Sequence, residues 1–66
     1  MKVTVNGKAI DVKDRAVLWY VVRSFTQDPE AVIVELNENV IKRNIWTETI
    51  LAEGDRIELV SLVGGG

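Results

Sequence analysis

The sequence contains no cysteine and no histidine. Without cysteine there is no disulfide, no thiolate nucleophile and no thiolate metal site. Without histidine there is no imidazole base and no imidazole ligand. Carboxylates remain, but no motif gathers them, so no catalytic residue, no metal and no bound cofactor is expected. Proline occurs once, at Pro29, and aromatic residues make up only 6% of the chain. Excess positive charge is lacking too. The 8 basic and 10 acidic side chains leave a net charge of −2, which argues against nucleic acid, whose recognition needs a basic patch. Long apolar runs are also missing. The stretch "AVLWYVV" is far short of a membrane span and opens no signal peptide, so no membrane association and a cytoplasmic location are expected. With 66 residues there is room for one domain and none for a deep, enclosed active site.

What is present is well patterned. In "MKVTVN", Val3 and Val5 alternate with Lys2, Thr4 and Asn6, the period of a half-buried strand. Asn6-Gly7 is a strong hairpin signal, because both residues tolerate positive φ. "KAIDVKD" then offers Ile10 and Val12 to one face. The period changes in the next segment, where Leu18, Val21, Val22 and Phe25 fall at helical spacing. This predicts a helix within residues 16–26, with Asp14 as its N-cap and Asp28-Pro29 as its stop. "AVIVELN" reads as a strand with Val32, Val34 and Leu36 facing the core, followed by a turn at Asn37-Glu38-Asn39 and a short edge strand in "VIKR". "NIWTETILAEGD" is irregular, with one helical turn expected near Thr47 to Leu51 and Trp46 covering the segment. Glu53-Gly54-Asp55 is a further turn. "RIELVSLV" is the closing strand, with Ile57 and Leu59 on its core face and Val60 and Leu62 opposite. The expectation is an α+β fold, one amphipathic helix covering a mixed sheet of four to five strands. The first and last strands are candidates for a central parallel pair.

Several of these pieces together resemble a known family. "VTVNGKAIDV", "DPEAVIVELN", "KRNIW" and "EGDRIELVSLVGGG" span the chain and are similar to the sulfur carrier proteins of thiamine biosynthesis, the ThiS type of the ubiquitin-like β-grasp superfamily. Asn37, Arg43 and Trp46 make the likeness specific to thiamine carriers, whereas Glu53-Gly54-Asp55 and the terminal Gly65-Gly66 are shared by the wider superfamily. The sequence departs from the pattern at Lys42, where proline is common, at Thr26, where glycine often ends the helix, and at the bulky Trp19 and Tyr20. The expected division is a β-grasp domain over residues 1–62 and a flexible glycine tail over residues 63–66.

The resemblance implies a protein cosubstrate rather than an enzyme. The carboxylate of Gly66 would be the covalent carrier site. An E1-like adenylating enzyme of the ThiF type would condense it with ATP, and a persulfide sulfur donor would displace AMP to leave a thiocarboxylate. A thiazole synthase of the ThiG type would accept that sulfur. Gly64 and Gly65, lacking side chains, would present the carboxylate through a narrow channel, and Val60, Leu62 and Val63 are the candidate docking residues. Two other readings stay open, a molybdopterin-type sulfur carrier and a noncovalent ubiquitin-like interaction module.

Overall fold

The computed structural model describes residues 1–62. Alternation in the first segment gives strand β1 (Lys2–Val5), with Val3 and Val5 buried. The chain reverses through Asn6 at φ 51° and Gly7 at φ 85°. Two successive positive φ angles match the twist of a two-residue hairpin, so β2 (Lys8–Asp11) pairs antiparallel with β1, Val3 standing opposite Ile10.

Helix α1 spans Leu18–Phe25. Its start corrects the expectation of an Asp14 cap. Residues 13–16 close a turn instead, with the Ala16 N–H donating to the Lys13 carbonyl, and Arg15 sits at φ 67°. Val17 is extended and bridges to Ile50. The first helical amides are taken by carbonyls from a distant segment: Leu18 N–H donates to Thr49 at 2.8 Å and Trp19 N–H to Trp46 at 3.0 Å. Backbone thus replaces the side-chain cap. At the other end the chain becomes extended at Thr26 and passes through a single 3₁₀ turn, Pro29–Ala31.

Strand β3 (Val32–Leu36) turns back through Asn37 and Glu38, both at positive φ, into the short β4 (Asn39–Val40). The helical turn expected near Thr47 to Leu51 lies earlier, as a 3₁₀ turn at Arg43–Ile45. Burial of Trp46 accounts for the shift. Its indole N–H donates to the Ile41 carbonyl at 2.8 Å, and the turn runs on past Thr47 to Glu48, whose N–H donates to the Ile45 carbonyl at 3.0 Å. Strand β5 (Arg56–Ser61) completes a five-stranded sheet of order β2-β1-β5-β3-β4. The pair at its centre, β1 with β5, is parallel, as the sequence suggested.

The helix covers one face of this mixed sheet, the β-grasp arrangement. Leu18, Val21 and Val22 are packed into one cluster with Val3, Val5, Val12, Val34 and Ile57, and Trp46 and Leu51 join it from the irregular segment. Ile10, Val32, Leu36 and Leu59 are half-buried against that cluster. Phe25, placed in the core by its spacing, is 46% exposed. It is the last helical residue, and helical side chains lean back over the preceding turn, so no later turn covers it.

Candidate functional site

Strand β5 leads toward the residues that the sequence singles out, and hydrogen bonds fasten it at both ends. At its start, Gly54 turns the chain at φ 84° and its N–H donates to the Lys2 carbonyl at 2.7 Å. Lys2 N–H donates to a Glu53 carboxylate oxygen at 3.0 Å. The Asp55 carboxylate accepts from Ala52 N–H at 2.7 Å and from the Asn37 side-chain amide at 3.0 Å. The other end of the same Asn37 side chain accepts from Arg56 N–H at 2.9 Å. Asn37 and the Glu53-Gly54-Asp55 turn are therefore one fastening, joining the β3–β4 turn to the root of β5.

Toward the other end, β1 has already turned away, and the Asn6 side chain takes its place. Its oxygen accepts from Leu59 N–H at 2.8 Å, while Asn6 N–H donates to the Ile57 carbonyl at 2.9 Å. On the β3 side, Leu62 N–H donates to the Ala31 carbonyl at 2.7 Å. The backbone of β5 is thus fixed up to the residue that precedes the glycine segment. Val60 and Leu62 are 47% and 59% exposed. Val60 stands opposite Ile33 on the sheet face that α1 leaves uncovered. Val63, Gly64, Gly65 and Gly66 lie outside the described residues.

Two features were not legible beforehand. Asn6 reads as a turn residue in the sequence, yet it also holds Leu59. The partner of Val60 across the sheet, Ile33, follows from the β3–β5 register, and the sequence carries no signal for that register.

Elsewhere, Trp19 stacks on Trp46 with ring centroids 6.2 Å apart. The two rings, with Pro29, Glu30, Arg43 and Thr47, line an open cleft of about 280 Å³. The Arg43 guanidinium lies 3.4 Å from the Glu30 carboxylate at this cleft, so intramolecular pairing engages it. Tyr20 is exposed on the helix. Among the described residues, no group of acidic side chains is placed to hold a metal ion, and no helix is long and apolar enough to cross a membrane. The chemistry that this site can offer is presentation of a chain segment from a rigid strand.

Comparison with known proteins agrees with that arrangement. The ThiS family model matches residues 3–66. The chain is 36% identical to the sulfur carrier protein ThiS of Bacillus subtilis over 62 residues, covering 92% of this chain and 94% of that protein. It is 33% identical over its whole length to part of a thiazole synthase of Magnetococcus marinus, and it spans only 20% of that relative's length. The crystal structure of the thiamine biosynthesis protein ThiS of Geobacter metallireducens superposes with a TM-score of 0.83, at 32% identity and with 100% of each chain covered. The chain belongs to the ThiS family, the sulfur carriers of thiamine biosynthesis, which are carrier proteins and not enzymes.

Proposed function

We propose that the carboxylate of Gly66 is the sulfur-carrying group, activated and discharged by separate enzymes. A free carboxylate is a poor electrophile, because its charge opposes attack. Condensation with ATP forms an acyl-adenylate and releases pyrophosphate, which turns the carboxylate oxygen into part of a leaving group. The terminal sulfur of a persulfide then attacks the acyl carbon and AMP departs. A second thiol reduces the resulting acyl disulfide, leaving the thiocarboxylate on Gly66. Its nucleophilic sulfur is the form delivered to thiazole synthase.

The observation that carries this reading is the family match running through residue 66, with "VGGG" following directly on a strand that is fastened up to Leu62. Membership of the family implies partners of the ThiF and ThiG types in general. An adenylating enzyme for activation and a thiazole synthase for delivery are the specific partners proposed here. The similarity to part of a thiazole synthase supports the second of these. In this reading Gly64 and Gly65 pass through a partner's channel, and Val60, Leu62 and Val63 lie at its mouth.

Incubation with the adenylating enzyme, ATP and a persulfide source tests the proposal. Intact mass should rise by about 16 Da, the difference between sulfur and oxygen, and a thiol-selective alkylating reagent should label the product at Gly66. Labelling that fails, or that maps to another residue, overturns the reading. A product discharged to a molybdopterin precursor and refused by thiazole synthase would move the protein to the other sulfur-transfer pathway.

A further inference from the structure

The sheet face left uncovered by α1 carries two successive cross-strand pairs of different character. Ile33 stands opposite Val60, and Glu35 stands opposite Glu58. Side chains directly opposed on one face have Cβ atoms about 4.5–5.5 Å apart, and like charges at that spacing destabilise a sheet. Asp11, Glu30 and Glu38 have cationic partners in Lys2, Arg43 and Arg56, and of the acids that form no ion pair, Glu35 and Glu58 are the two that face each other across the sheet. Among the described residues, neither Glu35 nor Glu58 forms an ion pair. Arg56, two positions before Glu58 on the same strand, is engaged by Glu38 at 3.7 Å. Two carboxylates thus face each other without a counter-ion, beside an exposed apolar pair, on the strand that leads to the glycine segment.

We infer that Glu35 and Glu58 together receive one guanidinium group of the adenylating enzyme, with Ile33, Val60 and Leu62 forming the apolar part of the same docking surface. The inference rests on the carrier reading above and names which residues select the partner. Two observations and one argument from the chemistry of ATP favour this occupant. The surface includes β5, the strand that the sequence carries on toward Gly66. Its charge is negative in a chain of net charge −2. An enzyme that binds ATP and expels pyrophosphate also carries cationic side chains around its reaction centre. A guanidinium suits two facing carboxylates better than an ammonium does, because its planar fork holds donors on several edges. Docking would relieve the repulsion that the free carrier bears, so the pair would trade stability for recognition.

Carrier-dependent ATP–pyrophosphate exchange by the adenylating enzyme tests this with Glu35→Gln, Glu58→Gln and the double variant, at low and at physiological salt, beside thermal melts. The double variant should raise the KM for the carrier about tenfold at low salt, and the gap should narrow as salt rises. Its melting temperature should equal or exceed that of the wild type. Glu48→Gln removes the same charge from the segment packed on the helix entrance and should keep the wild-type KM. An unchanged KM in the double variant, a rise insensitive to salt, an equal rise with Glu48→Gln, or a lowered melting temperature overturns the inference while leaving the carrier reading intact. A wild-type chain that supports no exchange overturns both.

Discussion

Asn37 shows how one side chain can hold several backbone segments. It sits at φ 53°, donates to Asp55 and accepts from Arg56 N–H. The Asn37→Ala variant would lose both side-chain bonds, leave the Arg56 amide unpaired, and place a residue less tolerant of the left-handed region at that φ. The expected loss is about 1–3 kcal/mol in a urea melt. Gly54→Ala isolates the conformational term. A Cβ built at Gly54 meets nothing within 4 Å, so space is available and only the backbone angle of 84° resists. The cost should be about 1–2 kcal/mol. A wild-type midpoint for Gly54→Ala would show that the turn relaxes to another φ. The residue-level part of the site was only half legible. Asn37 and Glu53-Gly54-Asp55 stand out in the sequence as family matches, but their bonds to one another join segments 18 positions apart and depend on register.

Helix α1 and its neighbours show what periodicity can and cannot convey. Leu18 is fully buried, and Leu18→Ala should destabilise by about 2–5 kcal/mol in a denaturant melt, enough to unfold much of a domain this small. Phe25→Ala, on the same stripe, should cost less, because nearly half of that side chain is already in water. Equal losses would place the helix in a different register against the sheet. The strands were readable from period-two alternation and the helix from its stripe, since both patterns record which face meets the core. The helix start was not readable. It is set by carbonyls of Trp46 and Thr49, about thirty positions later in the chain, and propensity rules describe only side-chain caps. Burial of Leu51 was missed for a related reason. Its N–H is bound to the Ala16 carbonyl at 2.8 Å, inside a segment with no period of its own.

For the molecule as a whole, the proposed carrier reading puts stability and sulfur chemistry on separate parts of the chain. The buried apolar residues run from Val3 to Ile57, and β5 is held by hydrogen bonds as far as Leu62. The buried cluster is assembled from residues 3–57, so deletion of Gly66 should leave the melting curve unchanged within error. Sulfur transfer should nevertheless fail. The shortened chain would still carry a carboxylate, now on Gly65, but its reach would fall by about 3.3 Å. Displacement of a reacting group by as little as ~1 Å can lower a rate on the order of a hundredfold. Because β5 is fixed in the sheet, the platform cannot slide forward to restore the distance. Gly65→Ala tests shape instead of length. It keeps the reach, adds a methyl group where the proposed channel is narrow, and restricts the backbone angles available on threading. Adenylation or transfer should slow, again with no change in the melt. Measured together by thiol-selective labelling, the two variants separate the requirements: loss only on deletion means that the partner reads length, and loss in both means that it reads length and width. Wild-type labelling in both would show that the partner reads neither the length nor the shape of the tail, and would overturn this mechanism.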